Sequence, residues 1–137
     1  MRIAVVDDIA DERKLLCSRL TEQFARRGVH ADLFEYENGE SFLAAAKERP
    51  FTVVFLDIYM TGANGIETAK ELRSFDSDCL LVFTTTSTDH ALEGFRVRAM
   101  HYLVKPYEEK ELSELTDEIL SRIPSAGKYL DVKVNGS

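Results

Sequence analysis

Three apolar runs in this chain each end in charged residues that a buried strand would not choose. Ile3-Ala4-Val5-Val6 runs into Asp7-Asp8, Phe51-Thr52-Val53-Val54-Phe55-Leu56 into Asp57, and Tyr102-Leu103-Val104 into Lys105. A near-continuous Val/Ile/Leu/Phe run is the habit of a strand covered on both faces, as in parallel sheets. In such sheets ligands sit outside the carboxyl ends of the strands. If these three strands lie side by side and parallel, three carboxylates and one ammonium converge there. That set suits a divalent cation and a phosphoryl group better than it suits packing.

Along the chain the hydrophobic period switches between extended and helical. Residues 2–7, 31–36, 51–57, 80–84 and 100–104 read as strands, and 11–27, 41–48, 65–73, 88–97 and 108–121 as helices. The first helix is expected to bury Leu15, Leu16, Leu20 and Phe24, and the fifth Leu112, Leu115, Ile119 and Leu120. Five strands alternating with five helices predict an α/β fold: a five-stranded parallel sheet, doubly wound as (βα)5 with right-handed crossovers. The order 2-1-3-4-5 is expected because it gathers the ends of strands 1, 3 and 5 around one crevice.

The bulk numbers narrow the classes. A length of 137 residues fits one domain. No segment approaches the roughly 18 unbroken apolar residues of a membrane span, and Met1-Arg2-Ile3 leads straight into a strand without a signal sequence. A cytoplasmic protein is expected. Cys17 and Cys79 lie far apart in apolar periodic stretches and read as buried small hydrophobes rather than a disulfide or metal pair. The net charge of −7 argues against broad electrostatic capture of nucleic acid, and Arg26-Arg27 sits where it complements a helix end.

Asp7, Asp8 and Asp57 cannot all stay charged in one buried place without a counter-charge. A divalent ion supplies it, and oxygen-only ligands beside a phosphate favour Mg²⁺ over Ca²⁺. Lys105 then faces the anionic group as a point charge. One of the hydroxyls of Thr84, Thr85 and Thr86 is expected to donate to the same group. Each charge taken singly has a bland explanation: Asp8 or Asp11 as a helix cap, Asp57 as a turn residue, Lys105 as a neighbour of a proline turn. All four at the ends of adjacent strands is a joint signal that the bland explanations do not cover.

These residues resemble the receiver domain of two-component response regulators. The likeness covers about residues 1–122 and is carried by Val5-Val6-Asp7-Asp8, by Val54-Phe55-Leu56-Asp57-Ile58 with Met60, Gly62 and Gly65, by the threonines before Ser87, and by Tyr102-Leu103-Val104-Lys105-Pro106. The resemblance implies a flavodoxin-like fold and Asp57 as phosphoacceptor, taking its phosphoryl group from a sensor histidine kinase or a small acyl phosphate. It implies Mg²⁺ held by Asp8, Asp57 and the backbone carbonyl of Tyr59, with Asp7 acting through water. It implies Lys105 on the phosphoryl group, Thr85 as switch hydroxyl with its neighbours one residue away, Tyr102 as the moving aromatic partner, and a cis Lys105-Pro106 peptide. Such a domain assists only its own phosphorylation and dephosphorylation and is otherwise no enzyme. Thr61 and Asn64 depart from the proline and aspartate common in the family and bear on the rigidity of the loop after Asp57.

The stretch Asp89-His90-Ala91-Leu92-Glu93-Gly94-Phe95 is most similar to regulators with a LytTR-type DNA-binding domain. Residues 123–137 are expected to hold a linker and the first strand of such a domain, cut just inside it, so that DNA is reached only through the part beyond. A homodimer through the face of helix 4, strand 5 and helix 5 is expected, and no membrane contact. Three other readings are weighed against the same acids. A haloacid-dehalogenase-like Mg²⁺ phosphatase needs an Asp-x-Asp nucleophile at strand 1, where this chain has adjacent Asp7-Asp8. A pseudo-receiver binds partners without phosphorylation and has no use for the acids. A flavodoxin-like nucleotide module needs a glycine-rich turn after strand 1, where Asp7-Asp8-Ile9-Ala10-Asp11-Glu12 repels phosphate.

Overall fold

The computed structural model describes residues 1–62 and 64–123. Five parallel strands, β1 (Arg2–Val6), β2 (Asp32–Tyr36), β3 (Val53–Asp57), β4 (Leu80–Thr85) and β5 (His101–Val104), form one sheet in the order β2-β1-β3-β4-β5. They alternate with α1 (Ala10–Arg26), α2 (Gly39–Glu48), α3 (Gly65–Phe75), α4 (Ala91–Arg96) and α5 (Glu109–Ser121). Met1–Tyr107 makes one compact unit, and a second begins at Glu108. The expected linker at 124–127 and strand at 128–134 lie outside the described residues.

The central strands are buried on both faces, as their unbroken apolar runs require. Ala4, Val6, Val54, Leu56, Leu81 and Phe83 share one cluster with Phe42 and Leu43 of α2 and Ile66, Ala69 and Leu72 of α3. The alternating residues Ile3, Val5, Val53, Phe55 and Val82 are just as buried on the other side. At the amino end of β1, the Arg2 guanidinium lies 4.5 Å from the Phe34 ring centroid and 4.4 Å from that of Phe51. It also donates to the carbonyls of Pro50 and Arg49, both at 3.3 Å.

Local chemistry moves several expected boundaries. In α1 the buried stripe is Leu16, Leu20, Gln23 and Phe24, while Leu15 is half-exposed at 50%. The spacing i, i+4, i+7, i+8 defines the face, and Leu15 falls at its edge. In α5 Thr116 joins Leu112, Leu115 and Ile119, whereas Leu120 is only partly buried. The Thr116 hydroxyl satisfies itself by donating to the Leu112 carbonyl at 2.8 Å, so its burial costs little. Helix α4 starts three residues later than its period suggests. Hydroxyl-to-backbone turns occupy the approach: the Ser87 N–H donates to Thr85 Oγ1 and the Asp89 N–H to Ser87 Oγ. Helix α2 starts two residues earlier, because the Asn38 side chain accepts from the Ser41 N–H as its cap.

Both cysteines are free thiols. Cys79 is buried, which pushes its thiol up to about 12, while Cys17, expected inside, is only half-buried and is pushed up to about 11. Neither is a ready thiolate at neutral pH.

Candidate functional site

Strand register builds the site. Val6 pairs with Leu56, so Asp7 follows β1 beside Asp57, and Asp57 itself pairs with Thr84 on β4. Thr85 pairs with Val104, so Lys105 leaves β5 next to the same corner. One carboxylate oxygen from each of Asp7, Asp8 and Asp57 lies within 4.8 Å of the others. The Lys105 ammonium stands 3.0 Å from Asp7 Oδ2 and 3.6 Å from Asp57 Oδ2. The four expected charges therefore meet, and the Lys105-Pro106 peptide is cis.

Each acid is fixed by a different partner. Asp7 Oδ1 accepts from the Ile9 N–H at 2.9 Å, and its carbonyl accepts from Arg13 Nη1 at 2.8 Å. Asp8 Oδ2 accepts from both the N–H and the hydroxyl of Thr61, at 3.0 and 3.2 Å. Proline at that position could offer neither donor, so Thr61 ties the loop after β3 to the end of β1. Asn64 caps α3 by accepting from the Glu67 N–H at 3.0 Å. Asp57 Oδ1 accepts from the Tyr59 N–H at 3.3 Å, so it does hold a turn as well. Helix capping explains neither Asp8 nor Asp11: Ile9 occupies the N-cap of α1 without a side-chain cap.

The electrostatics are strained toward the negative. Asp57 is 4% exposed, and burial, with the charges of Asp7 and Asp8 added, outweighs Lys105 and the Tyr59 N–H and pushes its carboxyl up to about 7. Burial alone would lower the Lys105 pKa, but its bonds to Glu12 and Asp7 and the charge of Asp57 hold it above the ordinary lysine value. One ammonium does not neutralise this many carboxylates. The donor set fits a hard cation: it is all oxygen, and oxygens on opposite sides of Mg²⁺ lie about 4.2 Å apart. The three carboxylates are thus close enough together that they would fit one such cation.

The threonines divide between the two faces of β4. Thr84 and Thr86 line a cavity of about 330 Å³ together with Asp7, Glu12, Leu16, Arg19, Lys105 and Tyr107. Thr85, fully buried, follows Phe83 on the opposite face, and its carbonyl accepts from the Lys105 N–H at 2.7 Å. The Phe83 ring lies 5.4 Å from that of Tyr102, whose hydroxyl donates to the His90 carbonyl at the start of α4. Tyr59 packs edge-on to the His90 ring at 5.5 Å.

Three residues contribute in ways the sequence reading did not assign. Thr61 was noted only as a departure. Gly65 admits the end of β3, because a Cβ there would stand 2.2 Å from the Asp57 carbonyl oxygen. Glu12 Oε1 pairs with Lys105 Nζ at 2.9 Å.

The response regulator receiver domain family matches residues 3–117. The chain belongs to that family. Among curated relatives this receiver is 41% identical over 76 residues to the sensory transduction protein LytT of Oceanobacillus iheyensis, covering 54% of this chain and 31% of the relative. It is 30% identical over 117 residues to LytT of Bacillus subtilis, covering 83% and 46%. The receiver thus spans less than half the length of these relatives. Its fold superposes on the response regulatory domain of protein mrkE from Klebsiella pneumoniae with a TM-score of 0.74 at 22% identity, covering 88% of this chain and 96% of that one. Receivers of this family generally bind Mg²⁺ through an acidic pocket, and Asp7, Asp8 and Asp57 form such a pocket here. Among the described residues no helix is long and apolar enough to cross a membrane.

Proposed function

We propose that Asp57 is the phosphoacceptor of this receiver, charged by the phosphohistidine of a sensor histidine kinase or by a small acyl phosphate. The observation that carries this reading is the convergence of Asp7, Asp8 and Asp57 within 4.8 Å, with the Lys105 ammonium 3.6 Å from Asp57. An Asp57 carboxylate oxygen attacks phosphorus, and the donor's bond to phosphorus breaks as the acyl phosphate forms. The attack works against charge repulsion, so the neighbours of Asp57 must neutralise the equatorial oxygens. Lys105 supplies one positive charge. Asp8, Asp57 and the Tyr59 carbonyl, with Asp7 beside them, would hold Mg²⁺, which would supply the remaining neutralisation.

Thr85 acts as the switch hydroxyl and Tyr102 as its aromatic partner. Thr85 is bonded through its backbone to Lys105 and lies on the β4 face that carries the Phe83–Tyr102 contact. The phosphoryl oxygens pull on Lys105 and Thr85, and the pull reaches α4 through Tyr102. Exposed Leu92 and Phe95 on α4 support a homodimer formed there. The net charge of −7 supports transcription control through a LytTR-type DNA-binding domain rather than through this chain. The reading assigns the chain no turnover of external substrates and a cytoplasmic site of action.

Mass spectrometry after incubation with acetyl phosphate and Mg²⁺ tests the assignment. One phosphoryl group on Asp57 is expected, absent from Asp57→Asn and after chelation. Labelling that maps to Asp7 or Asp8, or that persists in Asp57→Asn, overturns it.

A further inference from the structure

Lys105 is shared among three carboxylates, and the phosphoacceptor is the most distant of them. Its ammonium is 2.9 Å from Glu12 Oε1 and 3.0 Å from Asp7 Oδ2, against 3.6 Å from Asp57 Oδ2. Glu12 is held to this task from below. It sits in the first turn of α1, and that turn is pinned to the end of β1 by the Ile9 N–H on Asp7 Oδ1 and by Arg13 Nη1 on the Asp7 carbonyl. Lys105 is equally fixed at its backbone, by the bond from its N–H to the Thr85 carbonyl. Only the lysine stem is free to turn, and the cavity beside it gives the ammonium room to do so.

We propose that Glu12 is a positioning residue for Lys105: it holds the ammonium on the α1 side of the pocket, so that a phosphoryl group on Asp57 must draw the lysine away from it. The inference rests on Asp57 being the phosphoacceptor and adds a restraint to that site. Phosphorylation replaces the single charge of the Asp57 carboxylate with close to two on the phosphoryl oxygens, which compete for the ammonium with one carboxylate that is 40% exposed and therefore partly screened. The Glu12 contact then opposes uptake of the phosphoryl group by about the strength of one such pair. Because Gln keeps an acceptor but loses the charge, and Asp keeps the charge but loses a methylene of reach, the two variants separate the contact from the general field.

The test is titration of the full chain with beryllofluoride, a phosphoryl mimic, in Mg²⁺, followed by amide resonances around Asp57. Glu12→Gln and Glu12→Asp are each expected to tighten uptake roughly two- to fivefold, the range a partly exposed ion pair carries. In a Lys105→Met background Glu12→Gln is expected to change nothing further. In the free protein Glu12→Gln is expected to shift the Lys105 Cε resonance and leave that of Lys110 in place. The proposal is overturned by unchanged or weaker uptake in Glu12→Gln, by a wild-type affinity in Glu12→Asp, by an equal gain without Lys105, or by an unmoved Lys105 resonance. Absence of uptake by the wild type overturns the phosphoacceptor reading and this proposal with it. Normal uptake by the wild type with unaltered variants overturns the role of Glu12 alone.

Discussion

A methyl group at position 94 would stand 2.4 Å from Cε2 of Tyr102 and 2.8 Å from its hydroxyl oxygen. The ring lies against bare α4 backbone, in a slot that exists because Gly94 has no side chain. Alanine in a helix interior ordinarily stabilises by up to about 1 kcal/mol relative to glycine. Here the sign is expected to invert: Gly94→Ala overpacks the Tyr102 slot and costs about 1–3 kcal/mol. Thermal denaturation of Gly94→Ala with Tyr102 intact, and again in a Tyr102→Ala background, checks this. The loss is expected only while the ring is present.

Asp57 gives a pH dependence with a definite sign. Its folded pKa of about 7 lies above the ordinary value of 3.8, so the folded chain holds a proton that the unfolded chain has released. Stability from this group is fully present below about pH 4 and is lost as pH rises to about 7. Denaturant midpoints across that window are expected to fall with pH in the wild type and to flatten in Asp57→Asn. Above pH 7 the same substitution is expected to stabilise the fold.

Cation binding answers the same unrelieved charge. At pH 8 saturating Mg²⁺ is expected to raise the unfolding temperature, and at pH 5 to raise it far less, since a protonated Asp57 is a poor ligand. At a hundredfold excess over the dissociation constant the gain is about 2.7 kcal/mol. Asp8→Asn is expected to remove most of it.

Gly65 tests the scaffold under the acceptor. A Cβ there meets backbone, the Asp57 carbonyl oxygen at 2.2 Å and Ile58 Cα at 2.8 Å, and neither atom can swing aside. Gly65→Ala is expected to cost about 2 kcal/mol or more and to move the end of β3. Calorimetry measures the first, and loss of beryllofluoride uptake by the folded variant measures the second.

Much of this arrangement is legible in residues alone, for a physical reason. The apolar runs ending at Val6 and at Leu56 each stop at the carboxyl end of a strand buried on both faces, so pairing the two runs end to end sets their following aspartates side by side. Contacts made by long or rotatable side chains leave no such trace. Glu12 reaches Lys105 from a helix face that the apolar period describes only as polar. Thr61 binds Asp8 through a backbone N–H that nearly every residue type shares. Leu15 is exposed and Gln23 is buried because a helical stripe fixes a direction better than an edge. The late start of α4 follows from the Thr85 and Ser87 hydroxyls competing with the helix for backbone donors, a contest that propensity does not decide.

The Arg2 guanidinium, set between Phe34 and Phe51 at the amino end of β1, stands at the far end of the strand from Asp7 and Asp8. The two ends of one five-residue strand therefore answer to different selection. Under the proposed function, changes at Arg2 are judged by whether the chain stays folded, and changes at the aspartates by whether it carries a signal. Drift at the first end can be repaired by any better-packed pair nearby. Drift at the second has no such substitute, since Asp7 and Asp8 each hold a backbone N–H as well as a place in the acidic cluster. A lineage that abandoned signalling would be expected to lose its acids early and keep its arginine.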